Sequence, residues 1–268
     1  MKHQGPALQT RGLAVSFDGR WIVQNLDKSF HRGDLTIIVG PNGAGKTSLV
    51  RALAGLGESW GEINVGGVPL TDLDGRTRGR AVAYLPQGHE FHWPMPVADI
   101  VALGRIPHGG GARYLPRDDR DVIQRAMEVA DIVDFADRSV TTLSGGEKAR
   151  VALARVLAVG APVLLADEPT AALDARYQLK MLEILREEAE SGVAVIAVLQ
   201  DLAMAARFAH RILVLDDGKC VADGPPGSVF EEGLLNRTFG VEGAVLERDG
   251  ERVVVPWSLV RGGPRKKA

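Results

Sequence analysis

Apolar positions along this chain fall into two periods, and the switching between them predicts an ordered succession of strands and helices. Residues 8–15 and 21–30 show mixed alternation broken at Asp18-Gly19, the pattern of two half-buried strands joined by a turn. Residues 35–39 form a short apolar run fit for a buried strand, and residues 47–54 follow with Leu49, Val50 and Leu53 at helical spacing. Residues 61–70 add short β-structure with Gly66-Gly67 as a hairpin turn, and residues 80–85 form another buried strand ended by Pro86. The character then turns helical at 97–103 and 117–135. In the second segment Val122, Ile123, Ala126, Val129 and Ile132 recur on one face, and Gly109-Gly110-Gly111 separates the two as a flexible link.

The second half repeats one theme. A helix opens at Ser144 and runs to about residue 159, a strand covers 163–166, and an amphipathic helix over 176–190 turns Leu179, Leu182 and Leu185 inward. A strand at 193–199, a helix at 202–209, a strand at 212–215 and a hairpin at Asp217-Gly218 complete a β–α pattern. The expected architecture is therefore α/β, a mostly parallel sheet with a small antiparallel sheet beside it and a helical insert at about 94–160. Residues 224–227 mark the exit from that core, giving a main domain at 8–227 and an appendage at 228–268. The appendage reads as a short helix at 228–239, two short strands at 244–256 around Asp249-Gly250, and a solvated basic tail with Arg261, Arg265, Lys266 and Lys267.

Composition narrows the functional classes. The 268 residues are 45% hydrophobic and 25% charged, enough apolar content for a buried core in a globular chain. A net charge of -2 argues against an extended basic face, so no nucleic-acid partner is expected. Cys220 is the single cysteine, which excludes an intramolecular disulfide and suits a reducing compartment. No apolar run approaches the roughly 20 residues needed to cross a bilayer, and residues 1–6 lack the apolar region of a signal peptide. Any membrane role must come through a partner. His89, His92 and His108 lack the spacing of a metal motif and are read as exposed or internally satisfied.

The chemistry concentrates in a few stretches. Gly40-Pro41-Asn42-Gly43-Ala44-Gly45-Lys46-Thr47-Ser48 lies between a strand and a helix. Its glycines let backbone amides cradle a phosphate chain, Lys46 can reach the β- and γ-phosphates, and the Thr47 hydroxyl can ligate Mg²⁺. This predicts ATP and Mg²⁺ as ligands on a P-loop core. Thr142-Leu143-Ser144-Gly145-Gly146-Glu147 presents a hydroxyl and free amides at a second helix start, another phosphate-binding arrangement in the same chain. Asp167 and Glu168 project from the end of an apolar strand, Asp167 to hold Mg²⁺ through water and Glu168 to orient the water that attacks the γ-phosphate. Gln87, also at a strand end, is placed to meet a metal or a water. Phe17 at the first turn can stack on a nucleobase, with Trp21 as the competing ring.

Taken together, the glycine loop, Gln87, Leu143-Ser144-Gly145-Gly146-Glu147, the acidic pair, Ala171-Ala172-Leu173-Asp174 and the strand-end Gln200 resemble, in kind and order, the ATP-binding-cassette ATPases, over residues 8–227. The resemblance implies a RecA-like core and a homodimer with two ATP molecules, each held between the glycine loop of one copy and Ser144, Gly145 and Gly146 of the other. It further implies that Phe17 stacks on the base, that Gln87 links Mg²⁺ to a membrane permease, and that Asp174 makes a cross-dimer contact. One position departs from the pattern. Val198-Leu199-Gln200-Asp201 carries glutamine where the family usually has histidine, so a hydrogen bond can still be donated but no positive charge carried. Hydrolysis slowed by about 1.5–3 kcal/mol, or about 10- to 100-fold, is expected from the lost charge-assisted bond.

Residues 85–87 with 97–108, and the run from Leu199 to Arg211, are similar to the ATPases of importers for iron–siderophore, haem and cobalamin complexes. The implied assembly is a homodimer on the cytoplasmic face of the membrane, bound to integral-membrane permease subunits and served indirectly by a substrate-binding protein. A soluble assembly scaffold and a low-turnover regulatory subunit are the alternatives.

Overall fold

The computed structural model describes residues 5–110, 116–171, 173–248 and 251–260. The chain begins with β1 (Leu8–Phe17) and β2 (Arg20–Phe30), an antiparallel pair turned at Asp18 and Gly19, both at positive φ. β3 (Leu35–Val39) leads to α1 (Lys46–Leu53), and β4 (Ser59–Val65) and β5 (Val68–Pro69) return beside β1. α2 (Gly75–Ala81) precedes β6 (Val82–Leu85), and α3 (Val97–Ala102), α4 (Arg117–Val129) and α5 (Gly145–Leu157) follow. β7 (Val163–Asp167), α6 (Ala175–Glu190), β8 (Ala194–Val198), α7 (Leu202–Phe208), β9 (Arg211–Asp216) and β10 (Lys219–Gly224) complete the α/β succession. A hairpin of β11 (Val241–Arg248) and β12 (Glu251–Leu259) closes the described chain, with β12 lying against α7.

The central sheet has the order β10-β9-β3-β8-β7-β6 and is parallel except for β10. Its middle strands lack alternation because both faces are covered. Leu35, Ile37 and Val39 pack with α3 to α7, whereas Ile38 packs with α1 and the antiparallel sheet β2-β1-β4-β5. Such burial drives the assembly, at about 1.5–3 kcal/mol for each fully covered aliphatic side chain. The carboxyl ends of β3, β8, β7 and β6 consequently emerge along one edge of the sheet, where the glycine loop, Gln200, the acidic pair and Gln87 all stand.

Several local expectations change. Arg80 and Ala81 end α2 instead of opening a strand, because Asp74 caps the helix by accepting from the Thr77 amide at 2.7 Å and the strand begins only at Val82. The helix at 117–135 stops at Val129: Asp131 takes φ 57, and the turned chain buries Ile132. Gly110 is not part of a loose link. It is buried, and a Cβ there would lie 2.7 Å from Asp119 Oδ2 and 2.9 Å from Arg105 Cβ, beside the 2.7 Å Arg105–Asp119 ion pair. The expected helix at 228–239 is broken into Pro226–Val229, Glu232–Leu234 and a π-turn over Leu235–Phe239, bending so that Val229, Phe230, Leu234 and Leu235 all reach the core. Gly111, Ala172, Asp249, Gly250 and the basic tail lie outside the described residues.

The two main sheets are tied together by charge. Asp223 on β10 accepts from Lys28 Nζ of β2 at 2.7 Å and from Arg211 Nε and Nη2 of β9 at 2.6 and 2.8 Å. Burial alone would push the Asp223 carboxyl up, but the bonds and charges of Arg211 and Lys28 outweigh it and hold it below the ordinary carboxylate range. A depressed carboxyl stabilises the fold above its unfolded value and loses that contribution as pH falls through the folded one. Asp223→Asn is expected to cost about 1–3 kcal/mol near pH 7, read from the denaturant midpoint. The difference from wild type should shrink below about pH 4; a gap that widened in acid would contradict this account.

Candidate active site

The glycine loop is shaped by close approach. A Cβ on Gly40 would meet the Leu215 carbonyl oxygen at 2.0 Å, and one on Gly45, at φ 96, would meet Ile22 Cγ2 and its carbonyl oxygen at 2.9 Å. Gly43 turns at φ 80 with open space beyond it, which a ligand can enter. The Ala44 amide donates to the Pro41 carbonyl at 3.2 Å, and Ala44 is buried. Lys46 opens α1 and folds back over the loop, donating to the carbonyls of Gly40 and Pro41 at 2.8 and 2.9 Å. Burial lowers its pKa, while Glu168 and Asp167 oppose that shift. Asn42, Gly43, Gly45, Lys46, Thr47, Ser48 and Glu168 line one cleft of about 270 Å³.

A second cleft of about 590 Å³ continues from Thr47 and Ser48 to Phe17, Arg51 and Glu58. Phe17 lies at the end of β1 with two thirds of its surface free, whereas Trp21 stacks edge-on against Trp60, their centroids 4.9 Å apart. Of the two rings weighed for a nucleobase, Phe17 is the one that lines the cleft.

Beneath the loop, Thr47 Oγ1 donates to Asp167 Oδ1 at 3.1 Å. Asp167 is buried, and its Oδ2 finds no hydrogen-bond partner among the described residues. Burial pushes its carboxyl up, against the opposing pull of Thr47, Arg51 and Lys46. Burial, with the Asp167 charge added, pushes the neighbouring Tyr84 phenol up to about 12. An orphaned buried carboxylate oxygen beside a hydroxyl suits a hard cation, which usually takes one or two carboxylates together with phosphate oxygens and water. Among the described residues no group of three or more His, Cys, Asp or Glu side chains is placed to hold a metal. His108 meets the Val159 carbonyl at 2.9 Å.

Glu168 follows Asp167 at φ 49, a left-handed backbone uncommon outside glycine, and its amide is tied to the Val198 carbonyl at 3.2 Å. Its side chain accepts twice. Gln87 Nε2 reaches Oε2 at 2.8 Å and Gln200 Nε2 reaches Oε1 at 2.7 Å. The structure thus brings together the glycine loop, Gln87, Asp167, Glu168, Gln200 and, through the adjoining cleft, Phe17.

Ser144, Gly145 and Gly146 stand apart, outside both clefts. Ser144 caps α5 in a reciprocal box: its amide donates to Glu147 Oε2 at 2.7 Å and the Glu147 amide donates to Ser144 Oγ at 3.3 Å. Asp174 caps α6, accepting from the Tyr177 amide at 3.0 Å, and is exposed.

Residues 23–171 match the ABC transporter family. The chain belongs to it. It is 43% identical over 248 residues to the hemin import ATP-binding protein HmuV of Streptomyces coelicolor, covering 91% of this chain and 88% of that relative. The cobalamin import ATP-binding protein BtuD of Halobacterium salinarum is 40% identical over 240 residues, 89% of this chain and 60% of that relative. Among solved structures, the dimeric MJ0796, a bacterial ABC transporter cassette, superimposes with a TM-score of 0.73 at 25% identity, over 82% of this chain and 98% of that one.

As an ABC ATPase the chain binds and hydrolyses ATP, and the candidate site also holds residues that no motif in the sequence marks. Tyr84 and Arg51 face Asp167, and Glu58 closes the Phe17 cleft. Arg51 carried a readable signal, lying one helical turn beyond Thr47; Glu58 had none. Gly45→Ala, forced against Ile22 at a positive φ, is expected to weaken ATP binding by about tenfold or more and to destabilise the fold by about 1–3 kcal/mol. Calorimetric titration and thermal melting check the pair, and wild-type affinity in the variant would show that the loop does not need this approach.

Proposed function

We propose that this chain is the ATP-hydrolysing subunit of an importer for metal chelates of the haem and cobalamin class. It would act as a homodimer on the cytoplasmic face of the cell membrane, beneath integral-membrane permease subunits served by a substrate-binding protein. The cargo class rests on the two import relatives, each about 40% identical over nine tenths of the chain. Membrane attachment through a partner accords with the finding that no described helix is long and apolar enough to cross a bilayer.

One observation carries the mechanism: the groups suited to phosphate are split within a single copy. The loop, Lys46 and Glu168 line one cleft while the Ser144 box lies outside it. Two copies facing each other would give each ATP both halves. The loop amides and Lys46 would bind the β- and γ-phosphates, Phe17 would stack on the base, and Ser144 and Gly146 of the second copy would cap the γ-phosphate near Asp174. Thr47, Asp167 and the side-chain oxygen of Gln87 would hold Mg²⁺, which when bound neutralises developing phosphate charge. Glu168 would accept a hydrogen bond from the attacking water and aim it at the γ-phosphorus. The bond from that phosphorus to the bridging oxygen then breaks, leaving ADP and phosphate. Closure does work only if ATP binds the closed dimer more tightly than the open one. Gln87 and the insert at 94–160 would pass that closure to the permease.

Glu168→Gln is expected to hold ATP in a stable dimer, seen by sizing with nucleotide. Tight ATP binding with only monomer present would count against the arrangement. Expression beside its permease should copurify the two, and Lys46→Ala should abolish haem or cobalamin uptake; uptake that persists would remove the importer reading.

A further inference from the structure

Beyond Thr47 and Ser48 the lining of the larger cleft, about 590 Å³, changes character. Three segments meet there: the end of β1 with its turn, the last turn of α1, and residues 56–58 leading into β4. Phe17 and Leu56 are apolar and exposed, so a flat base has a ring and an aliphatic side to lie against. The polar side chains at this end are the Ser16 hydroxyl and the carboxylates of Asp18 and Glu58. Arg51 is the one cationic residue in the lining, and it faces Asp167 at the phosphate end. Glu58 is held by sheet pairing. Val15 stands opposite Ser59 in the antiparallel β1–β4 pair, and just beyond it the Ser16 amide donates to the Glu58 carbonyl at 3.4 Å. Ser16 Oγ also donates to Glu58 Oε2 at 3.4 Å, which leaves Oε1 for an incoming donor. Asp18, by contrast, stands in the turn itself, at φ 48.

Resting on the ATPase reading above, we propose that Glu58 selects the base, its carboxylate accepting a hydrogen bond from the exocyclic amine of adenine. The ligand class is then a triphosphate of a 6-aminopurine. An ionised carboxylate only accepts, so hypoxanthine or guanine lying the same way turns a 6-oxo oxygen against another acceptor. Stacking on Phe17 treats these bases nearly alike, because every base has a π-face. Discrimination has to come from an edge, and Glu58 is the acceptor at that edge which the sheet fixes.

Binding titrations of the full chain with ATP, ITP and GTP in the presence of Mg²⁺ test the assignment, because ITP carries an oxygen where ATP carries the amine. Wild type should hold ATP about 5- to 30-fold more tightly than ITP, less than a buried charged hydrogen bond would give because Glu58 is exposed. Glu58→Ala should bring the two within about twofold. Glu58→Gln, whose amide can turn its nitrogen toward a 6-oxo group, should narrow the gap chiefly by strengthening ITP. It also keeps the length of the side chain, so it carries the test if the alanine variant proves unstable. An ATP-to-ITP ratio unchanged in both variants overturns the assignment, as does a wild type that binds ITP or GTP as tightly as ATP. Loss of the preference in Asp18→Asn with none in Glu58→Ala overturns it too, by moving selection to the turn. Those failures leave the nucleotide site standing. If instead Phe17→Ala binds ATP as wild type does, the cleft receives no base, and the reading of the site falls together with the role of Glu58.

Discussion

Parallel pairing at a fixed spacing is the constraint on which the site depends. Neighbouring strands lie about 4.8 Å apart, and a glutamine on one strand can meet a glutamate on the next only when both leave the sheet at the same level. The pairings of Leu85 with Ala166 and of Asp167 with Val198 set that level. Slipping either strand by one residue would move its side chains from one covered face of the sheet to the other. It would also place Gln87 or Gln200 beyond the reach of Glu168. The apolar runs that hold this register are therefore as much a part of the site as the polar residues that end them.

Burial does the electrostatic work. Asp167 is almost fully covered, and its Oδ2 makes no hydrogen bond of ordinary geometry among the described residues although the Tyr84 phenol stands close to the carboxylate. Lys46, also buried, turns its ammonium into the loop carbonyls. The loop thus holds its lysine in place without a ligand, and the arrangement proposed for phosphate would be preorganised.

Much of this could be read from the chain. The strand at 35–39, the glycine loop and the acidic pair are legible because each depends on a contiguous run whose chemistry is local. The exit of Phe17 toward the cleft, against the stacking of Trp21 on Trp60, was undecided in sequence because it depends on which face of a twisted pair each ring occupies. α2 leaves no trace in the apolar periodicity because capping by Asp74 makes it a helix. Gly110 reads as a bend in sequence because glycine marks close packing as readily as a bend, and its neighbours Asp119 and Arg105 come together only in three dimensions. The two bonds to Glu168 could be imagined singly, but their division between its two oxygens follows from sheet order, which sequence does not print.

The pairing of β3 carries a consequence for how the chain is made. This central strand, complete by residue 39, takes β8 and β9 as its neighbours, and those lie at 194–198 and 211–216. During synthesis the nucleotide loop therefore waits, unsupported by a sheet, until about four fifths of the polypeptide has been translated. Contacts so distant along the chain favour slow folding and leave apolar segments open in the interval. A nascent chain arrested before β8 emerges would have no scaffold on which to bind ATP, so nucleotide can steady this protein only once its synthesis is nearly finished.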